Sequence, residues 1–251
     1  MENFINICLY LIIYSFLGWV CESIYCSILD RKIVNRGFVN GPFCPIYGFG
    51  ALIIIYLLKD FKHSVFLTFI FGLIFASILE YITSFLMEVL FHSKWWDYSN
   101  YRFNIHGRVC LLNSTLFGLL SIFLQFDLHP KVQSFINIFS YNFKVYFLVI
   151  FSIYFTVDLS STIYSVLKLN NRIKNLAFIK SSIIEKYKEL SDEYKELKVK
   201  HEFSKIKKGK LYSIHFLERR IINAFPNLKH KKYYEQINDL REHFKNKKDA
   251  K

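Results

Sequence analysis

The chain has 251 residues, 53% hydrophobic and 19% aromatic, and a formal net charge of +13. That much Phe and Tyr exceeds what a single soluble core of this size needs, and +13 excludes a chain embedded wholly in lipid. The two features separate along the sequence: from Lys168 onward there are 23 Lys+Arg against 11 Asp+Glu, whereas residues 1–167 carry a net charge of only +1. This pattern predicts two units, a transmembrane helix bundle over 1–167 and a basic helical tail over 168–251.

The first apolar run, Asn3–Leu29, is long enough to cross a bilayer. It begins Met-Glu-Asn rather than with basic residues, and no small-x-small cleavage site follows, so it reads as a span and not as a cleavable signal peptide. Tyr14, Ser15, Gly18, Glu22 and Tyr25 share one side of this helix. An acidic side chain at that depth is expected to face the bundle interior.

Next comes "NRGFVNGPFCPIYGFG", Asn35–Gly50, which holds four of the nine glycines and two of the four prolines. Pro42 and Pro45 forbid a continuous helix, and the apolar run that follows, Tyr47–Leu58, is too short to cross alone. Irregular backbone at membrane depth must be buried in protein or line a wet cavity. The stretch is therefore expected to enter the bilayer as a re-entrant or broken segment and to wall a cavity. In that position Asn35, Arg36 and Asn40 would reach Glu80 or the Asp97–Arg108 loop.

The third run, Ser64–Leu90, places Ser77, Glu80, Ser84 and Glu88 on one side at 100° per residue. Glu88 is close enough to the end to be hydrated. The loop after it crowds Asp97, Tyr98, Asn104, His106, Arg108 and Asn113 together behind Lys94, Trp95 and Trp96. The tryptophans read as interfacial anchors. The polar set suggests either anion binding through Arg102 or Arg108, or an acid–base pair in which Asp97 orients His106.

The fourth run, Val109–Phe126, presents Ser114, Gly118, Ser121 and Gln125, and the fifth, Val145–Leu167, presents Asp158, Ser161, Thr162 and Ser165. Four helices thus carry polar or small-residue stripes, expected to meet around a shared interior. Small and hydroxyl residues also suit plain helix packing. A carboxylate left unpaired there would have a raised pKa and could carry a proton. The candidate cavity comprises Glu22, Arg36, Asn40, Glu80, Ser84, Arg108, Asn113, Asp158 and Thr162. The candidate catalytic residues are Asp97 and His106.

In the tail, Leu176, Ile183, Tyr187, Leu190, Tyr194 and Leu197 predict an amphipathic helix over Asn171–His201, suited to a short coiled coil or to docking on a partner. A break at Gly209 in "KIKKGK", a second helix over Leu211–Ala224 ended by Pro226, and a third over Lys231–Lys245 follow. Acidic residues are mixed into the basic ones and no recognition module appears, so anionic lipid explains the charge better than nucleic acid does. The positive-inside rule then puts the tail in the cytoplasm. The five cysteines lie in apolar surroundings with no CxxC pair, and read as packing residues rather than metal ligands. No Walker A pattern occurs, so no P-loop ATP hydrolysis and no cofactor are expected.

"FLGWVCES" (Phe16–Ser23), "NRGFVNGPFCPIYGFG" (Asn35–Gly50), "LEYITSFLMEVLF" (Leu79–Phe91) and "WWDYSNYRFNIHGRVCL" (Trp95–Leu111) resemble the Putative ABC-transporter type IV membrane family, small bacterial proteins of about five spans. The resemblance covers roughly residues 5–165. It implies an all-α polytopic bundle in a bacterial plasma membrane, acting as a permease subunit with a separate ABC ATPase. Five spans are few for a transporter, so a homodimer is expected. The alternatives are a membrane-embedded enzyme acting on a lipid or headgroup at the cytoplasmic face, and a non-catalytic scaffold or sensor.

Overall fold

A computed structural model describes residues 2–31, 33–61, 64–188, 194, 197–202 and 216–249. Four described helices are long and apolar enough to cross a membrane, by length and composition. They are α1 (Glu2–Asp30), α3 (Val65–Phe91), the α4–α5 unit and α6 (Tyr141–Lys186). Between α1 and α3 lies the short α2 (Pro45–Leu57), followed by a 3-10 turn at Lys59–Phe61. Successive elements run antiparallel. The ends of α1, α3 and α6, the segment 33–44 and the loop 92–110 therefore gather at one end of the bundle, the tail end. The fold is an all-α polytopic bundle.

Long apolar runs rich in Leu, Ile and Phe set these boundaries, and the ends are fixed chemically. Ser64 caps α3 by accepting from the Leu67 N–H at 3.3 Å, and Ser140 caps α6 by accepting from the Phe143 N–H at 3.4 Å. Pro45 sits in the first turn of α2, where its missing N–H costs nothing. The α3–α4 contact is close because Gly72 lies against Ser121, a place any Cβ would fill.

The fourth run does not end near Phe126. Helix α4 (Leu111–Phe123) passes through a π-segment, Leu124–Leu128, into α5 (His129–Asn137), making one 27-residue unit. The π-segment explains how Pro130 is tolerated: the ladder shifts, with His129 N–H donating to Leu124 O, before the proline enters the first turn of α5. Residues 127–137, expected as loop, are thus helical. At this depth the Tyr14 hydroxyl hydrogen-bonds His129 Nδ1 at 2.9 Å, inside a core of Ile5, Leu9, Tyr10, Ala51, Ile55, Val132 and Ile136.

The second core lies at the tail end. Helix α6 continues beyond its apolar part to Lys186, and its Val166, Leu169, Ile173, Leu176 and Ile183 are buried. Against them pack α7 (Phe216–Ala224), Phe225 and Leu228, and Ile237 and Leu240 of α8 (Tyr234–Asp249). The strand β1 (Ser93–Lys94) pairs antiparallel with β4 (Lys229–His230), Ser93 opposite His230. A second ladder joins β2 (Asn104–Ile105) to β3 (Val109–Cys110). Helix α7 stops at Ala224 before Pro226, as expected.

Trp95 is not an interfacial anchor: it is 2% exposed, edge-on to Phe225 with ring centroids 4.7 Å apart. Leu176 and Ile183 of the expected amphipathic stripe are buried on the chain's own bundle, whereas Tyr194 and Leu197 are exposed. Leu190, the "KIKKGK" break with Gly209, and the expected start of the second helix at Leu211 lie outside the described residues.

Candidate functional site

Segment 33–44 has no regular structure, yet several of its polar backbone groups find partners on neighbouring elements. Val34 N–H donates to Ser27 Oγ at 3.0 Å and Arg36 N–H to Ser23 Oγ at 3.2 Å, both on α1. Arg220 of α7 donates to the carbonyls of Gly37 and Phe38 at 3.0 and 2.8 Å. Asp158 of α6 accepts from the N–H of Asn40 at 3.1 Å and of Gly41 at 2.8 Å, and Cys44 N–H donates to Ser15 O at 2.9 Å. Partners of this kind are what irregular backbone needs wherever it is packed away from water.

Asp158 lies ten residues before Lys168, the first basic residue after Lys144, so it sits about 15 Å from that residue along α6 at about 1.5 Å per residue. Asn40 also donates through Nδ2 to Ser161 Oγ and Thr162 Oγ1, both at 2.9 Å. Gly41 is required here because a Cβ would strike the Tyr154 hydroxyl and the Asp158 carboxylate.

Beside this latch lies a second group of polar side chains. Glu22 of α1 accepts from the Tyr47 hydroxyl at 2.6 Å and pairs with Arg36 Nε at 3.4 Å. Glu80 of α3 is buried and accepts from the Tyr98 hydroxyl at 3.1 Å, and its Oε2 has no hydrogen-bond partner. Burial, then the charges of Glu80 and Glu22, push the Tyr98 phenol well up, so it stays protonated as a donor. Both carboxylates therefore lie near this one tyrosine. Ser84 is buried on the same side of α3, and Ser77 Oγ donates to Ser114 Oγ of α4 at 2.7 Å.

The family model for the Putative ABC-transporter type IV proteins matches residues 9–163, every element that builds these two groups up to α6. The chain belongs to that family. No curated protein and no solved structure matches it. Four apolar helices together with this membership make the protein, a type IV family member, a transporter-like membrane protein.

In this family member several sequence expectations change. Asn35, Arg36 and Asn40 do not reach Glu80 or the Asp97–Arg108 loop. Asn35 Oδ1 accepts from Trp19 Nε1 at 2.7 Å, Arg36 turns to Glu22, and Asn40 turns to α6. The reason is proximity along the chain: segment 33–44 folds back on the end of α1 that precedes it. Arg36 also donates to Ala224 O and lies over the Phe225 ring, 4.8 Å from its centroid. Asp158 is not an unpaired carboxylate, because two backbone N–H groups occupy it.

Asp97 and His106 do not form an acid–base pair. Asp97 accepts from Lys229 Nζ at 2.7 Å and from the Ser99 N–H at 3.1 Å, whereas His106 is exposed and its Nδ1 is 3.1 Å from the Tyr81 hydroxyl. Glu88 is not simply hydrated: Arg108 Nη2 lies 2.8 Å away and Lys231 Nζ 3.9 Å away. Arg108 also covers the rings of Tyr81 and Phe85, which takes it out of an anion site. Asn113 is half-buried in the first turn of α4.

Sequence reading did not find the roles of Tyr47, Tyr98, Arg220 and Glu218. Nothing in the spacing of a lone tyrosine says which carboxylate it meets. Arg220, half-buried directly after the exposed Arg219, carries no local pattern that names its acceptors.

Proposed function

We propose that this chain is a permease-like subunit of a transporter that works with a separate ABC ATPase. Its body spans a bacterial plasma membrane, and its basic tail is on the cytoplasmic side. The observation that carries this reading is Glu80, a carboxylate buried inside the bundle with one oxygen unpartnered. A carboxylate at membrane depth without a counter-charge is a costly feature that packing alone does not call for.

Glu22 and Glu80 mark the path, with Ser84, Tyr47 and Tyr98 beside it. Asp158, Asn40 and Thr162 form a latch that positions the irregular segment against it. Arg36 is a charge partner that moves with that segment. In this reading the tail, residues 168–251, is a separate unit docked on the cytoplasmic mouth, and two copies of the chain assemble the complete pathway. Family membership and the lack of a Walker A sequence support a separate ATPase.

The test is purification of the full chain in mild detergent from its native membrane, followed by reconstitution. A nucleotide-binding protein should co-purify, and ATP should drive solute movement that Glu80→Gln abolishes. Recovery of the chain without any ATPase, together with unchanged movement in Glu80→Gln, would overturn the proposal. The headgroup-enzyme alternative finds no support in the geometry of Asp97 and His106.

A further inference from the structure

A cavity of about 120 Å³ lies between α6 and α7, lined by Ser161, Tyr164, Ser165, Lys168, Leu217 and Glu218. It shares no residue with the Glu22–Glu80 group, and it adjoins the Asp158 latch through Ser161, whose Oγ accepts from Asn40 Nδ2. No basic residue occurs on α6 between Lys144 and Lys168, so Lys168 marks the level at which the helix leaves the hydrocarbon. Tyr164, largely exposed one turn earlier, is the type of ring that occupies the headgroup boundary. The cavity therefore opens where phospholipid headgroups are.

Its lining holds two opposite charges side by side. The Lys168 ammonium is 43% exposed and faces outward, whereas the Glu218 carboxylate is 1% exposed. Lys168 Nζ lies 3.9 Å from one oxygen of Glu218, and Arg172 Nε lies 3.3 Å from the other. Neither oxygen accepts a hydrogen bond from a described residue. Burying a carboxylate on ion pairs alone is unfavourable unless its lone pairs are also satisfied. Ser165 donates its proton to Ser161 O at 2.8 Å, which leaves its own oxygen as an acceptor facing the same space.

We propose that this cavity binds the headgroup of an aminophospholipid, with the phosphodiester on Lys168 and the primary ammonium on Glu218 and Ser165. A primary ammonium brings three N–H donors to acceptors that lack them. A choline headgroup has no such donor, and a glycerol headgroup has no cation to meet Glu218. The protein's own plus-minus pair thus matches the reversed pair of the zwitterionic lipid. The inference does not depend on transport.

Native mass spectrometry of the delipidated full chain tests it, with phosphatidylethanolamine, phosphatidylcholine and phosphatidylglycerol of identical acyl chains offered one at a time. The ethanolamine lipid should be retained several-fold more than the other two. Lys168→Ala should lower retention of all three, and Glu218→Gln should erase the preference. Because Glu218→Gln also disturbs the Arg172 pair, Ser165→Leu, which fills the cavity and leaves both charges in place, must erase the preference as well. Equal retention of the three lipids by the unaltered chain, or an intact preference in Ser165→Leu, would overturn the proposal. Competition by soluble glycerophosphoethanolamine at concentrations equal to the lipid would overturn the assignment to a membrane lipid.

Discussion

The carboxylate of Asp158 and the backbone N–H of Gly41 meet at 2.8 Å, across two elements distant in sequence. With the Asn40 N–H on its other oxygen at 3.1 Å, Asp158 acts as a fixed acceptor for a segment that has no helix ladder of its own. Asp158→Ala would leave both amides buried and unsatisfied, a loss of roughly 2–4 kcal/mol at the usual cost of such groups. Asp158→Asn, which keeps one acceptor oxygen, should lose about half of that. Thermal unfolding in detergent measures both. Equal stability of Asp158→Ala and the unaltered protein would refute the latch.

Glu80→Gln should separate stability from transport. It removes an uncompensated charge from a low-dielectric site, so the variant should unfold at the same temperature as the unaltered chain or higher. Transport in reconstituted vesicles should nonetheless fall by at least about tenfold, the expected effect of losing a required charge. Tyr98→Phe should do the opposite to stability: it strips Glu80 of its one hydrogen bond at a cost of about 1–3 kcal/mol.

The tail dock should respond to mild acid through His230. Burial, then the nearby charges of His92 and Lys174, hold its pKa below the ordinary 6.5. Its Nδ1 accepts from the N–H groups of Lys232 and Tyr233 at 3.1 and 3.2 Å, so protonation there removes both bonds. The folded form prefers the neutral ring. Its contribution is therefore present above pH 6.5 and declines as pH falls below that value. Hydrogen exchange in β4 and the start of α8 should rise across that interval, and His230→Gln should flatten the response.

A second acid step belongs to Asp97. Burial raises its carboxyl, but hydrogen bonds from Lys229 and Ser99 outweigh this and bring it down to about 2. The folded value lies below the unfolded one of about 3.9, so this stabilisation is full above pH 4 and disappears as pH falls toward 2. Asp97→Asn should remove the step and loosen β1 from β4 at neutral pH. Protease cutting between Phe225 and Tyr234 reads that directly.

Spans were easier to read than sites. The third run, expected over Ser64–Leu90, is α3 at Val65–Phe91, because a long, strongly apolar stretch specifies its own length. The acidic stripe was legible for the same reason, since helical period alone places Glu80 and Ser84 on one buried side. Pairings were not legible. Asp97 and His106 look like partners along the chain, yet β1–β4 pairing carries Asp97 to Lys229, and a left-handed residue at His106 turns that ring outward. Likewise Trp95 reads as an anchor until α7 covers it. These outcomes depend on where the tail docks, and no local pattern states that.

Arg220 ties the tail to the irregular segment, and its removal should be felt there. Arg220→Ala leaves the carbonyls of Gly37 and Phe38 without donors, so amide exchange over 35–44 should increase while α3 is unchanged. Arg220→Lys, with a single ammonium in place of a fork, should restore only part of the protection. Unaltered exchange in Arg220→Ala would show that the two regions are independent.

Helix α6 runs 46 residues, Tyr141–Lys186, without a glycine or proline. At 1.5 Å per residue that is about 70 Å, more than twice the hydrocarbon thickness. Sharp kinks need Pro, Gly or a bulge, and this stretch has none of them, so it behaves mechanically as a stiff rod. Asp158 grips the broken segment at one level of the rod, while Leu169, Ile173 and Leu176 carry the tail at another. A tilt or rotation at the level of Asp158 is thereby transmitted along the helix with no hinge to absorb it. Displacing the segment and shifting the tail are two ends of one lever stroke.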